Sequence, residues 1–171
     1  MQKLLTFSLA ILCWGTIEAA TPPCSTAAYQ DWHFWLGTWS VTSLSGQAQG
    51  TNSITLEENG CLMVERWRNV QGGTGQSYNF YNPAKKEWRQ VWVSPGVIID
   101  YTGGLNQAGA MVLEGTITYH ANQQELPFRG SWSLRADGTV LQEFAQYNPD
   151  TSQWDNWFTG VYTKITDEDT P

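Results

Sequence analysis

The chain predicts an all-β protein, a single antiparallel up-and-down β-barrel of eight to ten strands. Three observations point there. Short runs alternate between faces, as in Trp88 to Val93, where Trp88, Gln90 and Trp92 share one side and Arg89, Val91 and Val93 the other. Turn-forming pairs punctuate these runs, among them Asn59-Gly60, Gly72-Gly73, Pro95-Gly96 and Asp137-Gly138. No amphipathic helix is long enough to cover a sheet, and the many aromatics favour closure into a barrel over an open sandwich.

Residues 1–20 read as a secretory signal peptide. Lys3 supplies a positive charge, an apolar core too short to span a bilayer follows, and Ala19-Ala20 offers small residues for cleavage. Removing them takes away one residue of each sign, Lys3 and Glu18, and leaves the net charge at −7. This acidic balance argues against nucleic acid and anionic membrane surfaces as partners.

A lead-in segment, 21–35, precedes the barrel. Within it, 26–32 is long enough for one helical turn, which tertiary contacts must hold. The barrel spans 36–165, with strands expected over 36–44, 51–57, 61–69, 76–81, 88–93, 97–101, 111–119, 126–134, 139–147 and 154–165. Asn59-Gly60 predicts a tight hairpin between the second and third. Tyr81-Asn82-Pro83 stands seven residues before Trp88, and Tyr147-Asn148-Pro149 seven before Trp154, a shared hairpin solution in which Asn-Pro opens each loop. Residues 166–171 form an acidic tail.

Cys13 leaves with the signal. Cys24 and Cys61 then form an even pair in an exported chain, which predicts a disulfide between the lead-in and the third strand.

Gly37-x-Trp39 opens the first strand inside Phe34-Trp35-Leu36-Gly37-Thr38-Trp39, where a bulky indole beside a glycine plugs one end of the barrel. Together with Gly60-Cys61-Leu62-x-x-Glu65-x-Trp67, Gly75-x-Ser77-x-Asn79-x-Tyr81, Trp88-x-Gln90-x-Trp92-Val93, Arg129-x-x-Trp132 and Asp137-Gly138-x-Val140-x-Gln142, this string resembles a family of exported bacterial lipocalin-like proteins of largely unassigned function. The resemblance covers 31–164 and implies a calycin-type barrel. In true lipocalins an arginine on the last strand packs over the Gly-x-Trp indole, and Lys164 stands at that place here.

The candidate ligand-binding residues are Glu65, Trp67, Tyr81, Gln90, Trp92, Arg129 and Gln142. Indoles make an apolar wall with an N–H to offer, and a few convergent polar groups orient a ligand on it. Ser77, Asn79 and Tyr81 make a second polar row. A Glu65–Arg129 pair inside the lumen would let Arg129 hold a ligand carboxylate bidentately. Glu65 is also the weak catalytic candidate, as a cavity carboxylate able to act as a base. His33 and His120 sit in no His-x-x-x-His or Cys-x-x-Cys arrangement, so no metal is expected. No cofactor is expected either; haem on His120 is the minor option, since related-looking ten-stranded haem barrels use a histidine axial ligand. No serine nucleophile elbow, P-loop or dinucleotide fingerprint is present.

The leading expectation is a secreted or periplasmic carrier of a small, partly hydrophobic molecule held in the lumen. Two alternatives stand beside it. One is an isomerase- or cyclase-like enzyme using Glu65 and Arg129. The other is an interaction module whose lumen is filled by its own indoles.

Overall fold

The structure is a computed structural model that describes residues 21–166. The signal-peptide reading, and the predicted acidic tail after Thr166, lie outside the described residues.

The chain forms a closed barrel of ten antiparallel strands: β1 (Gly37–Thr42), β2 (Ala48–Glu57), β3 (Leu62–Asn69), β4 (Thr74–Asn82), β5 (Glu87–Val93), β6 (Val97–Leu105), β7 (Met111–Tyr119), β8 (Glu125–Leu134), β9 (Val140–Asn148) and β10 (Gln153–Lys164). Each strand pairs with its sequence neighbour, and β1 closes against β10 through pairs such as Trp39 with Lys164 and Val41 with Tyr162. Closure leaves no sheet edge unpaired.

Turn chemistry sets this topology. Four hairpins use the same three-residue loop with glycine in its third position, closed by Ser43 with Gln47, Asn69 with Gly73, Asn106 with Ala110, and Arg135 with Thr139. At Asn69 and Asn106 the side-chain Oδ1 also accepts backbone N–H groups within the loop. In the two Asn-Pro loops, the Asn82 and Asn148 side chains accept from backbone N–H groups two residues on, and Lys86 and Ser152, each four residues after the Asn, take positive φ.

The Asn-Gly turn differs from expectation. Glu57 pairs with Leu62, so residues 58–61 form a wider loop around a short 3-10 turn, with Glu58, Asn59 and Gly60 at φ of 49°, 54° and 90°. This loop carries Cys61 out of the ladder, where it bonds to Cys24.

The lead-in helical turn α1 (Ala27–Gln30) and a 3-10 turn (His33–Trp35) follow Cys24 and cross one end of the barrel. Trp32 and Trp35 are fully buried and pack with Trp132, with ring centroids 4.7 Å (Trp32–Trp132) and 5.6 Å (Trp35–Trp132) apart. Two indole N–H groups pin the segment: Trp39 donates to the Trp35 carbonyl at 2.9 Å and Trp88 to the Ala28 carbonyl at 3.0 Å. Aromatic contacts of this geometry add about 0.5–1.5 kcal/mol each beyond area burial, which is how so short a helix persists. Lys164 lies over Trp39 with Nζ 5.4 Å from the ring centroid. A Cβ on Gly37 would come within 2.8 Å of Lys164 Cε, so the glycine of Gly-x-Trp makes room for the cation that covers the indole. The barrel is thus solid at the lead-in end, and the space lies at the other.

Candidate ligand-binding site

Alternation along the strands directs one set of residues inward: Asn52 and Ile54 on β2, Met63, Glu65 and Trp67 on β3, Ser77 and Asn79 on β4, Gln90 and Trp92 on β5, Ile99 and Tyr101 on β6, Gln142 and Phe144 on β9, and Tyr162 on β10. Above the aromatic plug part of this set lines a cavity of about 250 Å³, and Asn52, Ile54, Met63, Ser77 and Asn79 are not among its lining residues. Trp67, Trp92, Phe144, Trp157 and Phe158 form its aromatic wall, Gln49, Asn69 and Gln71 stand among the lining residues from the rim, and Glu65, Gln90, Tyr101, Gln142 and Tyr162 lie along its base.

Trp92 has its place because β4 carries a glycine beside it. A Cβ on Gly75 would fall well inside contact distance of the Trp92 indole. Trp157 enters by another route. The register of β10 slips between Asn156 and Phe158, and this bulge lets the successive residues Trp157 and Phe158 both face the cavity. The Trp157 N–H donates to the Tyr119 hydroxyl at 3.0 Å, and that hydroxyl donates to Gln146 at 2.5 Å.

The base of the cavity is one hydrogen-bonded network. The Tyr101 hydroxyl donates to Gln90, the Gln90 amide to Asn79, and the Asn79 amide to Ser77 Oγ at 2.9 Å. Ser77 in turn donates to Glu65 Oε2 at 2.6 Å. From the other side Asn52 Nδ2 donates to Glu65 Oε1 at 2.7 Å and lies 3.4 Å from the Tyr162 hydroxyl, which donates to Gln142 at 2.5 Å. Glu65, Gln90 and Gln142 from one expected polar row and Ser77 and Asn79 from the other therefore belong to a single belt running from β6 to β9, with Glu65 as the acceptor on which both arms converge.

Glu65 is 4% exposed. Its burial pushes the carboxyl up to about 7, against the hydrogen bonds from Ser77 and Asn52 that favour the ionised form. Tyr101 and Tyr162 are pushed up as well, first by burial and then by the Glu65 charge, so both hydroxyls are neutral donors at ordinary pH.

The sequence-predicted Glu65, Trp67, Gln90, Trp92 and Gln142 all line the cavity. Two do not. Tyr81 lies at the solid end, edge-on to Tyr29 at 5.1 Å and tilted against Trp88 at 6.2 Å. Arg129 is exposed on the outside, its guanidinium 4.4 Å from the Trp154 ring centroid. Phe128, Gly130 and Trp132 are the buried residues of β8, and Arg129 alternates with them. The expected Glu65–Arg129 pair is therefore not formed, and none of the described residues lining the cavity is a cation able to hold a ligand carboxylate.

No family model and no curated protein matches the chain.

Among the described residues no three His, Cys, Asp or Glu side chains come together as a metal site. His33 lies in the lead-in and its Nε2 is buried without a partner, while His120 is exposed at a strand end. Neither lines the cavity, so the lumen does not fit a haem held by an axial histidine. Among the described residues no helix is long and apolar enough to cross a membrane.

Sequence reasoning missed Tyr101, Tyr162, Phe144, Trp157 and Phe158. Tyr101 and Tyr162 carried a usable signal, since a tyrosine alternating with buried apolar residues places its hydroxyl inside and must find a partner there.

Proposed function

We propose that the protein binds a small, partly apolar molecule in the open half of its barrel and serves as an exported carrier or binding protein of lipocalin-like type. The observation that carries this reading is the contrast between the two halves of the lumen. One half is filled by Trp32, Trp35 and Trp132; the other keeps about 250 Å³ between aromatic walls and a polar base. An apolar pocket with a few convergent polar groups is the usual form of a small-molecule site. The Cys24–Cys61 bridge supports export, because such bonds persist in oxidising compartments. The interaction-module reading is weaker, since the protein's own indoles fill one half of the lumen and leave the other open.

One observation favours a second reading. Glu65 is a buried carboxyl pushed up to about 7, which suits a general base acting on a bound substrate. Without Arg129 in the lumen, that chemistry would rest on Glu65 and the neutral donors around it.

The test is a thermal-shift and tryptophan-fluorescence screen of the mature chain against a metabolite library. Hits that raise the melting temperature and survive incubation unchanged support a carrier. Consumption of a hit supports the enzyme. A library that yields no binder removes both.

A further inference from the structure

We propose that the cavity selects a compact organic cation, an aryl- or alkylamine whose ammonium group docks on Glu65 while its apolar part lies against Trp67, Trp92 and Trp157. This inference rests on the lumen-binding reading and names the ligand class.

The first argument is charge. Glu65 is the charged side chain among those lining the cavity, and the other lining residues are neutral amides, aromatics and Ile99. The groups packed around it are Asn52 from β2, Ser77 from β4, Tyr101 from β6 and Tyr162 from β10, none of them cationic. Buried carboxylates ordinarily have a cationic partner, and this one has two neutral donors. An anionic ligand would face it as a like charge, and a neutral one would leave its burial uncompensated.

The second argument is the count of donors and acceptors. An ionised carboxylate offers about four acceptor positions. Asn52 and Ser77 occupy two, and the nearby Tyr101 and Tyr162 hydroxyls are committed to Gln90 and Gln142. Glu65 therefore keeps about two acceptor positions open toward the cavity, and an ammonium group brings three donors and no acceptor.

The third argument is the wall. Indole faces attract cations through the negative face of the ring, more strongly as water is excluded. The volume of about 250 Å³ lies just below the ~300–1,000 Å³ of pockets for drug-sized ligands, which favours a compact amine over a long-chain lipid. The elevated titration of Glu65 adds a signature: a bound ammonium holds the carboxyl ionised, so binding below about pH 7 is coupled to loss of its proton.

The experiment uses three probes of similar shape, phenethylamine, 2-phenylethanol and 3-phenylpropionate, titrated calorimetrically into the mature chain between pH 5 and 8.5. At pH 8.5 the amine is expected to bind at least tenfold tighter than the alcohol, and the carboxylate weakest. Amine affinity should fall about tenfold per pH unit below pH 6.5 while alcohol affinity stays flat. Glu65→Gln should abolish the amine's preference over the alcohol at every pH. Equal or tighter binding of the alcohol or carboxylate, a flat pH profile for the amine, or an amine preference that survives in Glu65→Gln would each overturn the inference. If the variant does not fold, the wild-type pH profile decides alone. Binding of the alcohol without amine preference overturns the ligand class and leaves lumen binding standing. Failure of all three probes also overturns the class, while the library screen decides lumen binding separately.

Discussion

The Ser77 hydroxyl donates to Glu65 Oε2 at 2.6 Å, in a barrel interior that gives this carboxylate no cationic partner. Burial of this carboxyl, opposed by that hydrogen bond, sets how stability varies with pH. Glu65 titrates near 4.5 when unfolded and near 7 in the folded barrel, so between these values the native state holds the proton that the unfolded state has lost. This group's contribution is therefore fully present below about pH 4.5 and is lost as pH rises through 7, a swing of roughly 3 kcal/mol. Urea denaturation of wild type and Glu65→Gln at pH 5 and pH 8 checks it. The variant should gain on the wild type as pH rises, and a difference that stays constant would show that Glu65 titrates normally.

Gly75 holds the position of Trp92. Gly75→Ala places a methyl group inside the indole's contact distance, so Trp92 must rotate or the β4–β5 pair must spread. Overpacking of this kind costs about 1–3 kcal/mol. The expected outcome is a lower melting temperature together with a shifted tryptophan emission maximum, and weaker binding of any lumen ligand.

The barrel was legible because its information is local. Loop sequences such as Asp137-Gly138 and Asn82-Pro83 fix where strands end, and alternation in Trp88 to Trp92 fixes which side they bury. Glu65 and Gln90 were found for the same reason, each two residues from an inward indole. Arg129 was misplaced although the same rule covered it: three positions separate it from Trp132, and an odd spacing along a strand sends two side chains to opposite faces. Trp157 was hidden by a different cause, because a bulge resets alternation and only the pairing of β10 with β9 reveals it. The belt from Tyr101 to Gln142 was also out of reach, since it depends on cross-strand neighbours such as Asn79 opposite Gln90 and Gln90 opposite Tyr101.

Arg129 on the outer face carries its own prediction. Arg129→Ala removes a guanidinium stacked over Trp154 and touches nothing in the cavity. Stability should fall by about 0.5–1 kcal/mol, the scale of an exposed cation–π contact. Ligand affinity in the lumen should be unchanged. Loss of binding in this variant, with the melting temperature held, would return Arg129 to the site.

The Cys24–Cys61 bridge ties the lead-in to the loop before β3, across a sequence separation of 37 residues. A loop of that length corresponds to about 4 kcal/mol in the chain-entropy treatment, with about 2–4 usual in practice. The double variant Cys24→Ser, Cys61→Ser should lose an amount in that range. The loss should be uneven along the chain. Trp32 and Trp35 sit on the segment the bridge anchors, whereas Glu65, Gln90 and Gln142 are held by the barrel's own ladder. Hydrogen exchange should therefore quicken first at the backbone amides of α1 and the following 3-10 turn, with the strands around the cavity still protected. The near-ultraviolet dichroism of the stacked Trp32–Trp35 pair, whose rings are 5.3 Å apart, should weaken in parallel. Uniform loss of protection through all ten strands would mean that the lead-in plug and the barrel open as one unit, and that the open cavity depends on the plug beneath it.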